Sequence, residues 1–267
     1  MSAIQPCALL LLVGPDWRVE TVSANISMLG GATPAEVLGR PLSDLIGGDA
    51  IHTLRNRVSW LASDSSEVQD FGVQWRALTL DVRAAREGDR YLIEAEPALE
   101  PRLADNIGMV RSMMDRLTGV DPRDLAEQAM RRLQALTGFE WIQLCDRHGK
   151  RVAGNSDVQP GLPTEAGPAL RLIADRDAAP VPLEGKEYSD LIARAIFLAP
   201  GKSDLEQLAG HGVAATMELP LRIDGELVGA VHARHASPRR CGAERRSVAH
   251  LFAERVAARM ARHGWEP

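Results

Sequence analysis

The chain has no apolar run long enough to cross a bilayer. Its longest, Ala8–Val13, falls far short of the roughly 20 residues a membrane helix needs. That run also lacks the basic flank and small-residue cleavage site of a secretory leader. A surplus of one charge is missing too: 31 Lys and Arg face 36 Asp and Glu, interleaved along the chain, for a net charge of -5. Without a basic stripe there is no electrostatic footprint for nucleic acid or an anionic membrane surface. Cys7, Cys145 and Cys241 are odd in number, widely spaced and in no CxxC pair, so they read as free thiols of a reducing cytoplasm. No GxSxG, P-loop or GxGxxG in a strand–helix context occurs, and there is no internal repeat; no enzyme motif is legible. His232, His235 and Cys241 match no zinc spacing, and residues 232 and 235 of one strand point to opposite faces, so no metal is expected. His250, four residues before Glu254, lacks the proline-containing context of a phosphoacceptor histidine.

What is present fits two domains of roughly 100–150 residues each. After Ala8–Val13 come Gly14-Pro15-Asp16, an alternating stretch Arg18–Val22, and Thr33-Pro34-Ala35-Glu36. The last reads as a helix start, with Thr33 as cap, Pro34 in the first turn and Glu36 closing a capping box. Ser43 opens another short helix. Three period-two runs follow: Phe71, Val73 and Trp75 on one face, Leu78, Leu80 and Val82 on the next, Tyr91 and Ile93 on the third. Pro97 and Pro101 mark a boundary, placing a first domain at 1–100, a linker helix at 101–120 and a second domain at 121–267. In the second, Asp121-Pro122 starts a helix that ends at Gly138, Phe139–Leu144 reads as a strand, and Asp224-Gly225 turns a hairpin. Val248, Leu251, Phe252, Val256 and Met260 form one stripe of a closing helix, read as core or as a dimer surface; Ile107–Leu117 reads likewise.

The order of elements resembles a PAS domain followed by a GAF domain, a mixed α+β architecture of antiparallel sheets flanked by helices. Particular residues are similar to those of bacterial phytochromes. Ile4-Gln5-Pro6 with Ala8-Leu9-Leu10 resembles the start of a phytochrome PAS domain, as do Val22-Ser23-Ala24-Asn25 and Leu38-Gly39-Arg40-Pro41-Leu42 further on. Leu170–Asp175 running into Ala179–Leu183 resembles the lasso segment of that family. Gly212–Met217, Asp224–Gly229 and Ser237-Pro238-Arg239 resemble the segments around its core hairpin. The resemblance implies a figure-of-eight knot in which Ile4–Leu10 threads the loop containing Asp175–Leu191.

The family holds a linear tetrapyrrole, and the departures gather on that site. Only Met1-Ser2-Ala3 precedes the motif before which bacterial members carry their attachment cysteine, and Cys7 stands where the family has histidine. The Asp-Ile-Pro stretch has no counterpart, Asn155 to Pro168 being too short for it. Asp204 replaces a pocket histidine, and Arg234 replaces the first of two paired histidines, of which His235 remains. No third phytochrome domain or kinase core is legible. The expectation is a non-enzymatic, cytoplasmic regulatory module with a degenerate pocket and no cofactor, acting as a homodimer through a protein partner or another small ligand. The alternative is a biliverdin photoreceptor with unusual attachment, through Cys7, its carboxylates clamped by Arg171, Arg194, Arg222 and Arg234.

Overall fold

The computed structural model describes residues 2–61, 67–99, 101–156 and 170–266. Its contacts divide the chain into two units: Met1–Ala98 with Ala178–Ala199, and Leu99–Asp177 with Pro200–Pro267.

The first unit opens with β1 (Ala3–Ile4), β2 (Leu9–Val13) and β3 (Val19–Ser23), followed by α1 (Pro34–Val37), α2 (Leu42–Ile46) and α3 (Gly48–Val58). The capping box at Thr33 is built: its backbone N–H and its hydroxyl each donate to Glu36 at 2.8 Å. α3 was not anticipated, although Ile51, Leu54 and Val58, all buried, carry its helical spacing. β4 (Glu67–Trp75), β5 (Leu78–Glu87) and β6 (Arg90–Pro97) form an antiparallel meander. The expected Phe71–Val73–Trp75 face needs correction. A bulge between Asp70 and Val73 inserts one residue, so Val68, Val73 and Trp75 reach the core while Phe71 is displaced.

β2 is buried at every position, and two separate clusters explain why. Leu9, Leu11 and Val13 pack with Leu42, Ile51 and Leu54 under the helices. Leu10 and Leu12 face the other way, onto Leu183, Leu191, Ile192 and Ala195. A strand covered on both faces is apolar throughout instead of alternating.

The second unit begins with α4 (Asn106–Asp115), α5 (Pro122–Thr137), β7 (Trp141–Asp146), β8 (Arg151–Gly154) and β9 (Arg171–Ile173). Asp121 caps α5 by accepting from the N–H of Asp124 at 2.9 Å, and Gly138 closes it at φ 68°. The chain then joins the first unit as β10 (Val181–Gly185) and α6 (Ser189–Ile192), before returning as α7 (Lys202–Gly210), β11 (Ala215–Ile223), β12 (Glu226–His235) and α8 (Ala243–Arg262). Thus the linear division differs from the structure twice. Residues 178–199 belong with the first unit, and α4, expected as a linker helix, packs on α8 within the second.

β10 completes the first sheet, in the order β1-β10-β3-β2-β6-β5-β4. β1 is hydrogen-bonded along both edges by the same insert: it pairs with β10 on one side, and on the other Gln5 N–H donates to Phe197 and Ala199 N–H donates to Ala3. Where the insert crosses β3, Gly185 sits at φ +113°, and a Cβ there would lie 2.3 Å from the Glu20 carbonyl oxygen. Glu20 accepts from Arg90 at 2.9 Å, Lys186 at 2.7 Å and Tyr188 at 2.8 Å. Burial alone would raise the Glu20 pKa, but these donors hold it below the ordinary glutamate value. Deeper in the same unit, Glu94 is 2% exposed. It accepts from Arg83 at 2.7 Å and from the N–H groups of Ile196 and Phe197 at 3.1 Å each, while Arg83 also donates to Glu67 at 2.8 Å.

The second sheet runs β8-β7-β12-β11-β9, with Asp224 and Gly225 at φ 52° and 87° turning β11 into β12. Val248, Phe252, Val256 and Met260 of α8 are buried, whereas Leu251 is 39% exposed and Ile107 of α4 is 74% exposed. The stripe is therefore core except at Leu251, which lies off the i, i+4 row. No helix among the described residues is long and apolar enough to cross a membrane.

Two outcomes follow from this packing. Glu94→Ala leaves two buried N–H groups and one arm of Arg83 unpaired, Glu67 remaining as the other partner of Arg83, and is expected to cost about 3–5 kcal/mol in urea denaturation; a loss below about 1 kcal/mol refutes the anchoring role. Val256→Glu is expected to abolish the folded far-UV circular dichroism signal, while Leu251→Glu keeps it; equal behaviour of the two variants refutes the division of α8 into core and exposed faces.

Candidate functional site

Side chains alternate across the second sheet. Ile142, Leu144, Met217, Leu219, Leu221, Val231 and Ala233 are buried on the face that α5 and α8 cover. The other face is polar. Register places Gln143, His232, Glu218 and Arg171 side by side in one row across four strands. The adjacent row is Trp141, Arg234, Thr216 and Ile173, and Cys145 lies on the same face beyond Gln143. Gln143, Cys145, His232 and Arg234 are all buried.

The groups in these rows are unevenly paired. Arg234 donates to the Ser156 hydroxyl at 3.1 Å. His232 Nδ1 stands 3.7 Å from a Glu218 oxygen. His232 Nε2 is buried and has no hydrogen-bond partner among the described residues. Burial, and then the nearby Arg234 charge, push the His232 pKa down to about 3, so the imidazole is neutral at pH 7. Burial pushes Glu218 up, against the opposing pull of Arg171 and Arg234. Burial and then Asp146 push the Cys145 thiol up to about 11, leaving it protonated and a poor nucleophile. The face offers a fixed cation, a neutral imidazole and a carboxyl group in a water-poor setting, which suits recognition of a polar ligand.

Of the residues singled out from sequence, the structure puts Arg234 in this cluster and Arg171 at its margin. Arg171 is exposed and paired with Asp204 at 3.1 Å. Asp204 caps α7, accepting from the Gly201 N–H at 3.2 Å, and is itself exposed. Arg194 lies in the first unit and donates to the Arg86 carbonyl of β5. Arg222 donates to the Gly225 carbonyl at 3.0 Å and braces the hairpin turn. His235 points to the opposite face from Arg234, edge-on to Phe139, and its Nδ1 accepts from the Ser237 N–H at 3.0 Å. Cys7 is half-buried in the turn between β1 and β2 of the first unit. Of the four arginines expected to form a carboxylate clamp, Arg194 and Arg222 thus donate to backbone carbonyls, the first across the fold to β5 and the second within its own hairpin turn. Most of Asn155–Pro168 lies outside the described residues.

Sequence reasoning missed Glu218, Gln143 and Cys145 as members of one surface, and treated His232 only as a metal ligand. No group of His, Cys, Asp and Glu among the described residues could hold a metal ion. The available signal was polar residues at every second position of otherwise apolar strands: Gln143 and Cys145, then Glu218, then His232 and Arg234.

Residues 1–98 match the family model described as PAS fold. Across nearly its whole length the chain also superposes on the photosensory core module of Stigmatella aurantiaca phytochrome, at a TM-score of 0.81 and 23% identity, covering 98% of this chain and 58% of that one. The chain has the fold of a phytochrome chromophore-binding module. The chromophore-binding domain of the bacteriophytochrome RpBphP3 from R. palustris gives a TM-score of 0.77 at 22% identity, covering 98% of this chain and 95% of that one. In sequence, the phytochrome-like protein Cph1 of Synechocystis sp. is 24% identical over 93% of this chain. The chain spans 38% of that relative's length.

The buried imidazole gives the face a pH signature. Between its ordinary value near 6.5 and about 3, the unfolded chain binds a proton at His232 that the folded chain does not. Stability therefore falls as pH drops through that window, by up to about 1.4 kcal/mol per unit. Glu218, raised, acts in the opposite sense, so parent and variant are compared at each pH. His232→Gln is expected to flatten the decline in urea stability between pH 6.5 and 4; parallel pH profiles for the two proteins refute it.

Proposed function

We propose that this chain is a bilin-binding photosensory module, its second unit a GAF domain whose polar sheet face holds the pigment. The observation that carries this is His232 Nε2, buried without a partner among the described residues, beside the buried Arg234 guanidinium. An unsatisfied buried polar atom costs about 1–3 kcal/mol, and a ligand with both polar ring atoms and acid groups relieves it. Kinship in fold to chromophore-binding modules supports the same assignment over the expectation of no cofactor. A linear tetrapyrrole fits the donor set: Arg234 would pair with a propionate, and His232 with a polar atom of the ring system. When bound, the pigment supplies red or far-red absorption; the residues of this chain bind and orient it. The role is sensory and not catalytic, with a protein partner downstream. In a homodimer, exposed Ile107 and Leu251 are among the apolar side chains available for cover.

A module without pigment is favoured by one observation, the engagement of Arg171 by Asp204, which withdraws a cation from the face. Co-expression with a biliverdin source separates the readings. The purified protein is expected to carry a red-absorbing band that Arg234→Met weakens at least about tenfold in apparent affinity, since a charged hydrogen bond is worth about 1.5–3 kcal/mol. A colourless parent refutes bilin binding and leaves the regulatory reading. A zinc-fluorescence gel of the denatured protein beside Cys7→Ala reads attachment: a band lost in the variant makes that thiol the linkage.

A further inference from the structure

We propose that Glu218 and His232 form an acceptor pair on the second sheet that receives the N–H donors of the bound ligand, spatially separate from Arg234, which receives its acid group. The inference rests on the bilin reading above and adds which residues read which part of the ligand.

The pair is set by register. Glu218 and His232 are direct cross-strand partners, so their side chains leave the sheet on the same face and side by side. Nδ1 of His232 faces the Glu218 carboxyl group at 3.7 Å. The tautomer with its proton on Nδ1 therefore points that proton at the carboxyl group and leaves Nε2 as a lone-pair acceptor. Nε2 is buried and has no partner among the described residues. A buried acceptor calls for a donor, and a second acceptor stands beside it in Glu218. The charged and titratable groups that face Glu218 are Arg171 on β9 and Arg234 on β12, together with His232 itself; the Cys145 thiol lies one row away on β7. Arg234 is one row along β12, beside Thr216 and Trp141. The face thus divides into an acceptor row and a cationic row. A ligand complementary to both has N–H groups at its centre and carboxylates on its periphery, as a linear tetrapyrrole does.

The sign of the electrostatics makes this testable with biliverdin as the probe. A carboxyl group beside the pyrrole nitrogens stabilises the protonated pigment, and a guanidinium nearby destabilises it. Parent, Glu218→Gln, His232→Ala and Arg234→Gln proteins are titrated with biliverdin by Trp fluorescence quenching, and the bound pigment is then titrated with base by absorbance. Far-UV circular dichroism of the ligand-free proteins verifies folding. Glu218→Gln is expected to lower the pH at which the bound pigment loses its proton by about one unit or more, with a roughly tenfold weaker Kd. His232→Ala is expected to weaken binding by a similar factor. Arg234→Gln is expected to weaken binding while moving the deprotonation upward, opposite to Glu218→Gln. If the parent binds but Glu218→Gln leaves both Kd and deprotonation unchanged, the acceptor pair is refuted and the site reading stands. If the parent does not bind biliverdin, the site reading fails and the pair falls with it.

Discussion

A carboxylate taken out of water must be given donors, and in the first unit Glu94 is that carboxylate. It is surrounded by Arg83, its cross-strand partner on β5, and by the consecutive N–H groups of Ile196 and Phe197. Removing water from an ion costs several kcal/mol, which only well-aligned partners offset. The insert at 178–199 supplies two of those partners, and it must therefore lie where β6 presents the carboxylate. The rest of the unit follows from that docking. Leu183, Leu191, Ile192 and Ala195 cover the second face of the sheet, β10 extends it, and β1 is held along both edges. Glu20, with Arg90, Lys186 and Tyr188, repeats the device nearer solvent.

The second unit uses the sheet differently. One face is apolar and covered by α5 and α8; the other holds a carboxyl group, an imidazole, a guanidinium and an amide within two rows of residues. Polar groups on a buried face destabilise a fold unless they are paired, and Arg234 is paired with Ser156 while His232 Nε2 has no partner among the described residues. The low proton affinity of His232 and the raised one of Glu218 have the same origin, since burial disfavours whichever form carries charge. Such a surface gains stability when something polar completes it, which is the physical basis for reading it as a recognition site.

Much of the fold was legible in the residues. The capping box at Thr33–Glu36, the Asp121 cap, the Gly138 stop and the Asp224-Gly225 turn are local signals, and each is realised within a few residues of the expected place. The bulge that displaces Phe71 was not legible, because it depends on how β4 pairs with β5 and on Asp81 accepting from the Gly72 N–H. The stripe on α8 was legible as apolar but not as core, since helical spacing alone does not say that Leu251 escapes the row of Val248, Phe252 and Val256.

The candidate site shows the same limit more sharply. Asp204, Arg194 and Arg222 carry the right charge types, yet a helix cap, a backbone carbonyl of β5 and a hairpin turn claim them. Glu218 and His232 lie 14 positions apart in sequence (232 minus 218) and meet only because β11 and β12 pair antiparallel. By itself the sequence determined the elements, their caps and turns, and the apolar run of β2, because those depend on neighbours a few residues away. Only the tertiary structure decided which face of each strand is buried, where residues 178–199 dock and which polar groups share a surface. Those are set by register and desolvation between segments far apart in the chain.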